Sequence, residues 1–160
     1  MHSLFRPPPA PLGASIRRLP YRRTYDGLDS SVPAARADFA EAAAKSGLDP
    51  AVADVVLLGL SELATNAVRH AERRFTVVTA IRGPRCPRVR LEVHDTCKTR
   101  IPAFPDDGGG ALDFLAALDG DAVGGRGLAM IAAFADRTGV TEDPNGKTVW
   151  FEVRLPGATR

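Results

Sequence analysis

Glu62-Leu63-Ala64-Thr65-Asn66-Ala67-Val68-Arg69-His70 closes a stretch of helix-forming residues that opens at Asp49-Pro50. Aspartate can cap a helix and proline fits its first turn, so a helix is predicted from this pair to about Ala71. Val52, Val55, Val56, Leu60 and Leu63 recur at helical spacing, and the run Val55–Leu58 widens the apolar face, which places this helix in the core. Glu62 and Asn66 break that pattern. They stand four residues apart, one turn and ~6 Å of rise, on a common face. A carboxylate and a carboxamide are costly to bury without partners, so that face is not core. Mg²⁺ takes oxygen ligands and keeps several of its waters, and a carboxylate also serves as a general base. A metal-and-base pair therefore fits this spacing. A solvated helix stripe fits it too, and spacing alone leaves both open.

Upstream, Tyr21–Asp26 reads as a strand. A helix then runs from a cap at Ser31 to about Ser46, with Pro33 in its first turn and Gly47 as its stop. Downstream, Phe75–Ile81 is rich in β-branched residues. Gly83-Pro84-Arg85-Cys86-Pro87 interrupts it, and Arg88–His94 continues as a second strand in which Val89, Leu91 and Val93 alternate with charged residues. These two form a hairpin with one buried face. Residues 96–123 hold Gly108-Gly109-Gly110, two prolines and one helical piece, Ala111–Leu118. So long a connection points to a lid, placed at about 98–124. Gly124-Gly125-Arg126-Gly127 leads into a helix over Leu128–Ala135. Arg137–Glu142 and Thr148–Leu155 flank the turn Asp143-Pro144-Asn145-Gly146 as a closing hairpin. The predicted order β-α-α-β-β-lid-α-β-β describes a two-layer α/β sandwich with a mixed, mainly antiparallel sheet.

The 160 residues suit one domain, and 44% hydrophobic with 25% charged residues is the balance of a soluble globular protein. A net charge of +2 argues against wholesale nucleic-acid binding. All of the excess is in the first 23 residues, which carry Arg6, Arg17, Arg18, Arg22 and Arg23 and no acid, so the remainder is slightly acidic. Residues 1–20, with Pro7-Pro8-Pro9, Pro11 and Pro20, read as a disordered arm ahead of a domain spanning 21–157. Cys86 and Cys97 form neither a disulfide framework nor a zinc pattern, and free thiols suit a cytoplasmic location. No signal peptide and no apolar run of about 20 residues is expected.

Two weaker signals follow the helix. Asp95 ends the second hairpin strand, where its carboxylate can accept a hydrogen bond from an adenine amino group or simply start a turn. Gly125-Arg126-Gly127 opens a helix, where glycines let the backbone approach a phosphate and free N–H groups favour anions; a hinge fits equally.

In order and spacing, these motifs resemble the Bergerat-fold ATP-binding domain shared by histidine kinases, the gyrase and Hsp90 ATPases and anti-sigma factor kinases. Glu62–His70 resembles the family's N-box, Val93-His94-Asp95 its adenine box, Gly125-Arg126-Gly127-Leu128 its second glycine box, and Gly146-Lys147-Thr148-Val149-Trp150-Phe151 its final strand. Leu28–Arg36 resembles the first helix of the anti-sigma, serine-kinase branch. The resemblance covers roughly residues 21–155. It implies ATP and Mg²⁺ as cofactors, with Asn66 as Mg²⁺ ligand, Glu62 as base toward a partner's serine hydroxyl, and Asp95 on adenine. It also implies that Gly125, Arg126, Gly127 and Leu128 form the phosphate cradle, that Thr148 backs Asp95, and that Arg69 reaches a phosphate, although a surface salt bridge is an equal reading for Arg69. The partners it implies are a sigma factor, an antagonist protein and a second copy of the chain, with no direct nucleic acid and no membrane. One departure stands out. The family's adenine box continues Asp-x-Gly-x-Gly, whereas here it runs Asp95-Thr96-Cys97-Lys98-Thr99. That departure keeps a second reading alive, a docking module that holds ATP only structurally or has lost it.

Overall fold

The computed structural model describes residues 19, 21–70, 73–98, 104 and 125–157, with the side chains of 125 and 126 excepted. The predicted arm, apart from its residue 19, lies outside the described residues, as does nearly all of the predicted lid with its helical piece. The described elements are β1 (Tyr21–Asp26), α1 (Ser31–Ser46), α2 (Pro50–His70), β2 (Arg74–Arg82), β3 (Arg88–Asp95), α3 (Gly125–Phe134), β4 (Arg137–Asp143) and β5 (Gly146–Arg154). They follow the expected order. The strands form one five-stranded sheet, β1-β2-β3-β5-β4. Every pairing among the described strands is antiparallel.

Register explains the layering. Val77, Val93 and Val149 stand side by side across β2, β3 and β5, as do Thr79, Leu91 and Phe151, and Ile81, Val89 and Val153. Side chains alternate between sheet faces, so these rows share one face. Against it pack Val52, Val56, Leu60 and Leu63 of α2, Phe39 of α1, and Leu128 and Ile131 of α3, all buried. The helix–sheet contact is tight: a side chain at Gly59 would collide with the Phe151 ring. Burying a Leu or Phe side chain stabilises by about 1.5–3 kcal/mol each, so this interface is the main source of folding free energy.

Local chemistry sets the helix ends. Asp49 Oδ1 accepts hydrogen bonds from the N–H groups of Ala51 (2.9 Å) and Val52 (3.2 Å), capping α2 as expected. Gly47, at φ 70°, ends α1 in the left-handed conformation that costs glycine least. At the start of α1 the cap is Ser30, with no side-chain bond, because the helix already includes Ser31. α2 corrects one expectation: by length and composition, at mean hydropathy 1.5, it is long and apolar enough to cross a membrane. The reason is its wide apolar face: Val52, Val56, Leu60 and Leu63 are core residues here, Val55 and Leu57 are partly buried against them, and Leu58 is exposed. Leu19, placed in the arm by its sequence context, is buried, and its carbonyl accepts from Thr79 Oγ1 at 3.1 Å.

Candidate functional site

α2 carries Glu62 and Asn66 on the flank that is not packed on the sheet. Both are half-buried, whereas Leu63, Ala64 and Ala67 between and beside them are buried. α3 lies against this flank. A side chain on Gly127 would overlap the Glu62 carboxylate, so the carboxylate rests on the Gly127 backbone. The helix begins at Gly125, three residues ahead of the predicted Leu128, and takes the glycine run into its first turn. The N–H groups of a first helical turn lack intrahelical acceptors and carry the positive end of the helix dipole. Glu62 and the Gly125–Gly127 turn, 63 residues apart at their first members, are thus neighbours in space. Leu128 points the other way, into the core. Arg69 is exposed in the last turn of α2, where a cation complements the helix C-terminus.

The second part of the site is at the end of the sheet. One row of its inner face reads Tyr25, Phe75, Asp95, Lys147 across β1, β2, β3 and β5. Tyr25 and Phe75 stack at 5.4 Å. Asp95 and Lys147 then place opposite charges on an otherwise apolar face, with side chains only 5% exposed each. Lys147 Nζ donates to Asp95 Oδ1 at 2.8 Å and to the Cys97 carbonyl at 3.1 Å. The Cys97 N–H also donates to Asp95 Oδ1, at 2.8 Å. This turn needs no glycine: among the described residues no non-glycine residue has positive φ, Cys97 included. Gly146 sits so close to the Asp95 carbonyl that any side chain there would collide with it.

Thr148 does not face Asp95. It is one residue along β5 and so on the opposite face, with Oγ1 3.2 Å from His94 Nδ1. The residue that supports Asp95 is Lys147, which the sequence reading missed. Among the described residues no three His, Cys, Asp or Glu side chains converge on a possible metal position. A separate open cleft of about 330 Å³, lined by Tyr21, Arg22, Arg23, Asp38, Glu41 and Lys45, lies between β1 and α1. Tyr25 donates to Asp38 Oδ2 at 2.7 Å, and Arg23 reaches the same oxygen at 2.5 Å. The hydrogen bond from Arg23, helped by that from Tyr25, holds the Asp38 carboxyl below its ordinary range. Burial pushes the phenols of Tyr25 and Tyr21 up.

Residues 27–153 match a family of proteins described as histidine kinase-like ATPase domain. No curated protein matches the chain. Among solved structures, the chain is similar to the RsbU and RsbW domains of Rv1364c from Mycobacterium tuberculosis, at 22% identity and TM-score 0.56, over 85% of this chain and 32% of that one. It thus spans about a third of that protein's length. It is also similar to a chain of the SiaB-SiaC complex from Pseudomonas aeruginosa, at 15% identity and TM-score 0.50, over 88% of this chain and 92% of that one.

Proposed function

Because the chain belongs to the histidine kinase-like ATPase domain family, we propose that it is an ATP-binding anti-sigma regulatory factor with serine/threonine kinase activity toward a small antagonist protein. The observation that carries this reading is the Glu62 carboxylate resting on Gly127 at the start of α3, with Asn66 one turn further along α2. In this reading the carboxylate and the helix N-terminus it rests on, with the amide oxygen one turn along, are where phosphates and an incoming hydroxyl would meet.

When bound, ATP supplies the phosphoryl group and Mg²⁺ neutralises its charge; little covalent chemistry is left to the protein. Asn66 would give its amide oxygen to Mg²⁺. With no converging cluster of carboxylates among the described residues, the other ligands of the ion would be phosphate oxygens and water. The N–H groups at Gly125, Arg126 and Gly127 would hold phosphates, helped by Arg69. Asp95 would accept from the adenine amino group. Glu62 would take the proton of the partner's serine hydroxyl, a role that suits a half-buried carboxylate beside the phosphate cradle.

The neighbour solved as a two-protein complex supports a protein partner. The partners of this reading are a sigma factor held by the domain and an antagonist that receives phosphate, within the cytoplasm and with the domain as a homodimer. Incubation with labelled ATP and the cognate antagonist is expected to label a serine of the antagonist. Glu62→Ala should abolish labelling and retain the nucleotide-dependent rise in melting temperature. A verified partner that stays unlabelled by the wild-type chain overturns the kinase assignment. One observation favours the docking-module reading instead: Asp95 Oδ1 is already satisfied from within the chain.

A further inference from the structure

Asp95 and Lys147 do not use all of their hydrogen-bonding capacity. An ammonium has three donors, and two of those on Lys147 go to Asp95 Oδ1 and the Cys97 carbonyl. Asp95 Oδ1 accepts twice, from Lys147 and from the Cys97 N–H. No donor from the described residues reaches Asp95 Oδ2. The pair therefore keeps one N–H donor and one carboxylate oxygen next to each other, at a place where both side chains are 5% exposed. Asp95 Oδ2 is not among the buried side-chain atoms that lack a partner, so it is open to water or to a ligand, and an acceptor beside a donor at one spot fits a ligand with the complementary pattern.

The pair is also fixed in place. Asp95 and Lys147 are direct register partners across β3 and β5, and the turn after Asp95 is tied to both side chains through Cys97. The two charges cancel, which suits a neutral ligand edge better than a charged one.

We propose that Lys147 is a second base-reading residue, whose ammonium donates to ring nitrogen N1 of adenine while Asp95 Oδ2 accepts from the adenine amino group. The inference rests on the nucleotide reading above and adds a specificity residue to it. The ring edge of adenine presents an amino donor beside an unprotonated ring nitrogen, and the pair presents an acceptor beside a donor. The ammonium then has three partners, the Asp95 carboxylate, the Cys97 carbonyl and the base. Lys147 positions Asp95 and reads the base with the same group.

The test compares ATP·Mg²⁺ with 1-deaza-ATP·Mg²⁺, in which a C–H replaces N1, by calorimetric titration of the full chain. The wild type is expected to bind the deaza analogue at least about tenfold more weakly, the size of one lost hydrogen bond to a charged group. Lys147→Met, checked first for folding, should bind ATP more weakly and lose the discrimination; Lys147→Gln, which keeps an N–H donor, should retain part of it. Equal affinity of the wild type for the two nucleotides overturns the inference while leaving the nucleotide site standing. So does ATP binding by Lys147→Met as tight as or tighter than wild type, which would make Lys147 a competitor for Asp95. A wild-type chain that binds neither nucleotide overturns the nucleotide reading, and this inference with it.

Discussion

Asp95 and Lys147 are joined across two paired strands, almost sealed from water, with three hydrogen bonds tying them and Cys97 together. At the other end of the same site, Glu62 and Asn66 are half-buried on α2, and no described residue hydrogen-bonds to either side chain. The contrast follows from what each end is attached to. A sheet register fixes opposing side chains, and burial makes a mismatched charge expensive, so the charges of the sheet end are paired and held in place before any ligand arrives. A helix flank imposes no such partner. Its polar groups stay in water until a ligand organises them, and the close approach of Gly127 keeps that space clear of side chains.

This difference predicts that the same kind of substitution has opposite signatures at the two ends. Lys147→Met leaves a buried carboxylate without its counter-charge and is expected to cost about 3–5 kcal/mol of folding stability. Chemical denaturation measures it, and Asp95→Asn combined with Lys147→Met should recover much of the loss because no lone charge remains. A cost below about 1 kcal/mol would mean that the pair is less sealed than its burial indicates. Asn66→Ala should change the stability of the ligand-free chain by no more than about 0.5 kcal/mol, as surface substitutions do. It should remove most of the added stability that ATP·Mg²⁺ confers, which is about 2.7 kcal/mol at a hundred times the dissociation constant. If Asn66→Ala instead destabilises the ligand-free chain strongly, the helix end is structural and the comparison fails.

The helix end was the more legible of the two in the sequence. A carboxylate and an amide at i and i+4, inside an apolar helix, stand out by spacing, although only the fold shows that the glycine turn reaches Glu62. Asp95 was legible as the last residue of an alternating strand. The resemblance gives the support of Asp95 to Thr148, and that assignment, made without the phase of β5, hides Lys147. The phasing signal was there: Val149, Phe151 and Val153 alternate as core residues, so residue 147 shares their face and 148 cannot. A shift of one residue along a strand exchanges its faces. The early start of α3 was hidden by glycine, whose low helix propensity argues for a loop when tertiary packing is not visible. Nor was the antiparallel pairing of β3 with β5 readable, since the chain between them gives no register.

The central claim is that one nucleotide spans both ends. Thermal unfolding of the full chain with increasing ATP at fixed, saturating Mg²⁺ tests it most directly, because a ligand that binds only the folded state raises the melting temperature in proportion to the logarithm of its concentration. A logarithmic rise that is lost in both Asn66→Ala and Asp95→Asn is the predicted result. No rise at millimolar ATP, or a rise that survives both substitutions, would contradict it.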